Sequence, residues 1–140
     1  MSKNNKTYKD EYNLVKARVC LGNSDAIKDF QEHMEEENQL YLRPTMNVIE
    51  GVVARELYIP KDTLLIGYTH KNPQINYCLK GQIEITTDEG TRLVKEGQSF
   101  VSPAGTKRLG YALEDTIWLT INKTSFEEEC DIRKEILDEK

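Results

Sequence analysis

The spacing of apolar positions changes along the chain. Ala26, Ile27, Phe30 and Met34 recur at helical intervals. Ser24 stands where a helix cap belongs, with a hydroxyl that accepts from free first-turn amides, and Asp25 suits the positive helix end. This predicts a helix from Ser24 to about Asn38, closed off by Pro44. Residues 1–23 are polar apart from Leu14-Val15 and Val19-Cys20-Leu21, a pattern that fits an arm or a first strand. From Met46 onward short β-rich runs alternate with turn residues, and seven of the eight glycines fall between Gly51 and Gly110. The predicted strands are Val52–Ile59, Leu64–His70, Gln74–Lys80, Ile83–Thr87, Thr91–Val94, Ser99–Ser102, Lys107–Leu113 and Thr116–Asn122. Thr87-Asp88-Glu89-Gly90 reads as a hairpin turn. No gap between strands holds a crossover helix, which excludes parallel βαβ architecture and leaves an antiparallel sandwich or barrel. At the end of the chain Phe126, Cys130, Arg133, Ile136 and Leu137 trace a narrow stripe. Thr124 or Ser125 caps this second helix, with Glu127 or Glu128 as the capping-box partner. The expected organisation is a single domain: an arm and amphipathic helix over 1–45, an all-β barrel over 46–123, and a C-terminal helix over 124–140.

Composition narrows the setting. A chain of 140 residues, 38% hydrophobic, buries enough surface for one core and is too short for two ordinary domains. No run approaches the ~20 apolar residues of a membrane span, and Met1–Tyr8 lacks the apolar centre of a secretory signal. Cys20, Cys78 and Cys130 are odd in number and widely spaced, matching no disulfide or zinc pattern. A cytoplasmic location is the expectation. Charge is uneven: +3 over residues 1–24, −5 over 25–40, −4 over 126–140, and close to neutral between 51 and 123. Nothing forms the basic stripe of a general nucleic-acid binder, whereas a local anion pocket stays open.

One segment carries a family resemblance. Gly97-Gln98-Ser99-Phe100-Val101-Ser102-Pro103-Ala104-Gly105 follows the pattern G-x5-P-x-G, in which Pro fixes φ and Gly supplies the reverse bend into the next strand. With Gly81 closing the preceding motif, residues 60–122 resemble a cupin, a small antiparallel jelly-roll barrel with two motifs on facing strands. The stretch from Gly51 to Thr120, especially Val101 to Arg108, is also similar to an uncharacterised cupin group frequent in tailed-phage genomes. The resemblance implies a jelly-roll core flanked by the two helical termini. The positions at which the family usually carries metal ligands fall on Tyr68, His70, Gln74 and Arg108. One phenol, one imidazole, one amide and one guanidinium make a poor set for a divalent cation, because Arg stays protonated and repels it. No metal and no other cofactor is expected.

The replacement residues suggest a different use of the hollow. Alternation places Tyr68, His70, Gln74, Asn76 and Cys78 on one strand face, and the resemblance implies that this face looks into the barrel, with Arg108 pointing inward from the opposite side and Gly110 leaving space beside it. Lys107 and Tyr111 are expected at the rim and Trp118 on the following strand. Unpaired buried polar groups cost ~1–3 kcal/mol each, so such a hollow is expected to be wet or to hold a polar ligand. The guanidinium favours a carboxylate or phosphate, and the aromatics favour a ring. Structural readings stand beside this one: His70 as a hydrogen-bonded core residue, Arg108 paired with Glu56 or Glu84, and Tyr68 and Trp118 as ordinary core.

Three functions remain open at this point. One is a metal-free binding protein for a nucleotide, sugar phosphate or carboxylate, using Tyr68, His70, Gln74, Asn76, Lys107, Arg108, Tyr111 and Trp118. If the phage resemblance holds, one form of it sequesters a signalling nucleotide in the host cytosol. The second is a structural or regulatory assembly module. The third is a metal-independent sugar isomerase or epimerase with His70 as base, although no carboxylate is placed to orient that imidazole. Exposed sheet edges lead to the expectation of a homo-oligomer, a dimer or small ring.

Overall fold

Alternating segments fold as antiparallel strands and stack face to face as two sheets. In the computed structural model, residues 2–4, 6–23, 25–35, 42–67, 69–125, 131–132 and 137–138 are described. In chain order the elements are β1 (Ser2–Asn4), α1 (Lys6–Cys20), α2 (Ala26–Glu35), β2 (Thr45–Ile49), β3 (Val52–Ile59), β4 (Thr63–Ile66), β5 (Thr69–His70), β6 (Gln74–Lys80), β7 (Gln82–Thr87), β8 (Gly90–Lys95), β9 (Ser99–Ser102), β10 (Leu109–Ala112), β11 (Thr116–Lys123) and β12 (Leu137–Asp138). One sheet has the order β1-β4-β10-β7-β8 and the other β2-β3-β11-β6-β9, while β12 pairs with β5. All pairings are antiparallel.

The strands β3, β6 and β9 keep the limits read from the sequence, and the Thr87–Gly90 turn joins β7 to β8 as a two-residue hairpin. Three expectations change. The stretch Leu64–His70 divides into β4 and β5 around Gly67, whose amide donates to the Arg108 carbonyl at 3.1 Å. The segment 1–23 is mostly the helix α1, preceded by the short strand β1. Near the C-terminus Leu137–Asp138 is a strand rather than the last turn of a helix; residues 126–130 and 133–136 lie outside the described residues. No described helix is long and apolar enough to cross a membrane.

Alternation sorts the first sheet into two faces. Leu64, Ile66, Leu109 and Tyr111 point outward and are covered by Tyr12, Val15 and Val19 of α1 and Ala26, Ile27 and Phe30 of α2. The Tyr12 ring stacks on Tyr111 at 5.3 Å, and its hydroxyl donates to Glu84 Oε1 at 3.1 Å. Lys16 completes the contact by pairing with the same carboxylate oxygen at 2.5 Å. The opposite face supplies Ile83, Ile85, Val94 and Ala112, which meet Ile59, Cys78 and Trp118 of the second sheet inside the barrel. Gly81 closes the β6–β7 turn at φ +84°, and a Cβ there would sit 2.3 Å from the Asp115 carbonyl. Only glycine fits that approach of two backbones.

Candidate functional site

The second sheet changes character along its inner face. On β11 and β6, Trp118 stands opposite Cys78 and Thr120 opposite Asn76; on β3, Arg55 stands opposite Thr120. On β9, Ser102 stands opposite Gln74. Beyond the Trp118 layer the interior is therefore polar, and His70, Gln74, Asn76, Ser102, Thr120 and Asn122 are all buried there. These groups bond to one another. Gln74 Nε2 donates to Asn76 Oδ1 at 2.8 Å, and Asn76 Nδ2 donates to Ser102 Oγ at 2.8 Å. Arg108, arriving from the connection before β10, donates through Nη1 to Asn76 Oδ1 at 2.9 Å and to Ser102 Oγ at 3.2 Å. Asn122 Nδ2 reaches Gln74 Oε1 at 3.4 Å. Asn122 Oδ1 and His70 Nδ1 remain buried without a hydrogen-bond partner.

Two guanidinium groups among the described residues, Arg108 and Arg55, lie at this end. Among the described residues the partners of Arg108 are neutral oxygens, and burial followed by the repulsion of Arg55 pulls its pKa down to about 10. Burial lowers His70 most, with Arg55 and then Arg108 adding to the effect, so its pKa falls from 6.5 to about 3. The imidazole is neutral at physiological pH. The alternative pairing of Arg108 with Glu84 does not form: Glu84 lies on the helix-covered face of the other sheet, held by Lys16 and Tyr12. Glu56 sits on β3 at alternate parity to Arg55, on the opposite side of its sheet.

Comparison with solved structures decides the architecture. A cupin-2 domain protein from Shewanella frigidimarina superposes with a TM-score of 0.52 at 13% identity, over 68% of this chain and 92% of that one. An RmlC-like cupin from the same organism gives 0.53 at 16% identity, covering 64% and 80%. The ectoine synthase of P. lautus gives 0.53 at 13%, covering 61% and 65%. The chain has a cupin fold. No family model matches the sequence, and no curated protein matches it.

Within this cupin barrel the expected site residues separate into two groups. His70, Gln74, Asn76 and Arg108 come together, the first three on the face that alternation predicts and Arg108 from the side that the resemblance implies. Lys107 is half-buried in the connection leading to β10. Tyr68 lies outside the described residues. Trp118 belongs to the apolar layer, tilted against Phe100 at 5.9 Å between ring centres. Tyr111 is not at the rim: it packs under α1 on the far side of its sheet and donates to Asp62 Oδ1 at 3.1 Å. Burial and the Asp62 carboxylate raise its pKa to about 12. The space expected beside Gly110 is filled, since a Cβ there would lie 3.2 Å from Ile83 Cδ1 and 3.5 Å from Leu65 Cδ2. Burial pushes the Cys78 thiol up, away from nucleophilic thiolate chemistry.

The metal positions of the family do not fit a cation here. Of the three positions described, Gln74 is already bonded on both ends of its amide, Arg108 is cationic, and only His70 offers an ordinary ligand atom. Among the described residues no three His, Cys, Asp or Glu side chains come together. Sequence reasoning missed Arg55, Ser102 and Asn122. Each was available from parity: Arg55 shares a face with the buried Val53, Asn122 with Trp118, and Ser102 with Phe100.

Proposed function

We propose that the polar end of this barrel binds a small anionic ligand through a carboxylate or phosphate group. The observation that carries this reading is Arg108, whose guanidinium is bonded, among the described residues, only to neutral oxygens while Arg55 repels it. A buried cation with neutral partners is costly, and an anion supplies the missing charge through two parallel N–H donors. Asn76, Gln74 and Asn122 provide the polar readout, and neutral His70 offers a further hydrogen-bonding edge. A nucleotide or sugar phosphate fits that chemistry, and sequestration of a signalling nucleotide by a phage-encoded protein in the host cytosol is one biological form of it.

His70 is a weak candidate for a general base, because a group with pKa about 3 holds almost no proton affinity at neutral pH. The mutual bonding of Gln74, Asn76, Ser102 and Arg108 supports a second reading, in which the polar layer only braces an assembly module. Titration calorimetry with inorganic phosphate, a nucleoside monophosphate, a sugar phosphate and a dicarboxylate separates the two. Binding of at least one probe, weakened roughly 10–100-fold in Arg108→Ala, supports the anion site, since a hydrogen bond to a charged group contributes ~1.5–3 kcal/mol. Failure of every probe, or unchanged affinity in Arg108→Ala, leaves the bracing role.

A further inference from the structure

The hydrogen bonds at the polar end of the barrel run in one direction, and a donor-only group sets it. A guanidinium has no acceptor atom, so the atom that Asn76 turns to Arg108 is its oxygen, Oδ1. The Asn76 nitrogen therefore faces Ser102, and Gln74 brings its own nitrogen to the same Oδ1. Gln74 Oε1 is left pointing the other way, where Asn122 meets it with Nδ2 at 3.4 Å. No amide in this chain can flip without setting two donors or two acceptors face to face.

The chain ends on two unfilled acceptors. Asn122 is 3% exposed, and its Oδ1 is buried with no partner among the described residues. Gln74 also hydrogen-bonds the His70 ring in the sense that favours protonation, so the ring donates to the Gln74 oxygen. The ring nitrogen left without a partner is Nδ1. A neutral imidazole carries one proton, and with that proton held toward Gln74, Nδ1 presents a lone pair. The opposite end of the chain offers protons instead. Arg108 donates there, and Ser102 Oγ accepts from both Asn76 and Arg108, which leaves its own hydroxyl proton for an acceptor. The step from Asn76 to Gln74, roughly 7 Å along the strand, separates the donor end from the acceptor end.

We propose that the ligand is an anion that also carries hydroxyl groups, a sugar phosphate or a polyhydroxy acid, with its charged group at Arg108 and Ser102 and its hydroxyl protons on Asn122 Oδ1 and His70 Nδ1. This rests on the anion reading above and narrows it, because a bare phosphate or a plain carboxylate engages the donors and strands both acceptors. Sites built to bond a hydroxyl reject analogues that lack it for that reason. Arg108 then selects for charge, and Asn122 and His70 select for hydroxyls.

Titration calorimetry on the full chain with matched probes tests it: glycerol phosphate against n-propyl phosphate, ribose phosphate against n-pentyl phosphate, gluconate against hexanoate, and neutral ribose. In at least one pair the hydroxylated member is expected to bind ~10–100-fold more tightly. Asn122→Leu and His70→Phe keep the shape and remove the acceptor, and each is expected to shrink that ratio ~10-fold. Arg108→Ala is expected to weaken both members alike. Loss of fold also lowers both members together, so the ratio reports specificity alone. A ratio near one in every pair, or a ratio that neither Asn122→Leu nor His70→Phe lowers, overturns the proposal and leaves the anion site standing. Neutral ribose that binds as tightly as ribose phosphate overturns the anion reading and, with it, the charged half of the proposal. Binding of no probe overturns both.

Discussion

The barrel interior has two ends made by the same strands, and they obey different rules. At the Trp118 end, indole, thiol and aliphatic groups from Cys78, Ile59, Ile83, Ile85 and Val94 fill the space. Two residues further along β11, a distance of ~7 Å, Thr120 faces Asn76 and the lining becomes amide, hydroxyl and guanidinium. Alternation decides which side chains enter the barrel at both ends. It does not decide what holds them there. The apolar end is held by area removed from water, which tolerates small shifts and has no directional demand. The polar end is held by a chain of hydrogen bonds in which Asn76 serves Gln74, Ser102 and Arg108 at once, so each partner depends on the others. Stability therefore belongs mainly to the first end and, on the proposed reading, recognition to the second.

Substitutions at each end sharpen that division. The largest loss is expected for Trp118→Ala, about 3–5 kcal/mol in denaturant unfolding, from lost burial and the cavity left behind. A loss under about 1 kcal/mol would place the main core elsewhere. Asn76→Ala is expected to cost about 1–3 kcal/mol by stranding the groups it serves, read as a lower unfolding midpoint with an unchanged slope. If Asn76→Ala is neutral, water replaces the amide and the network is not a unit.

The smallest effect depends on pH. His70 has a folded-state pKa of about 3 against 6.5 in the unfolded chain, so between those values the unfolded state binds more protons. Stability then rises with pH across that window, and the His70 contribution is unfavourable below 6.5 and absent above it. His70→Asn removes this penalty, with an expected gain of about 1 kcal/mol at pH 5.5 relative to the unaltered protein's acid loss and none of that gain at pH 8. Parallel pH profiles for the two proteins would show that the imidazole titrates freely.

Much of the barrel was legible because period-two patterning and turn residues are local. β3, β6 and β9 follow directly from them, parity put His70, Gln74 and Asn76 on one face, and the family resemblance added Arg108 from the opposite side. Helix α1 was not legible. Tyr12, Val15 and Val19 have helical spacing, yet the stripe is narrow and its polar anchors, Glu84 and Thr86, lie more than seventy positions away in sequence. That omission also misplaced Tyr111, which seemed to need the hollow because the helix that stacks on it had not been recognised. The strand at Leu137–Asp138 was hidden for a similar reason, since its partner at His70 is remote in sequence.

The helical cover on one sheet has a further effect. A slab of strands with both broad sides bare can keep adding copies without end, each new layer offering the surface that recruited it. Here Tyr12, Val15 and Phe30 already occupy one side, which leaves a single broad β surface among the described residues. Stacking through that surface would end at two layers, so the N-terminal helices, besides roofing the core, would cap any layer-by-layer growth.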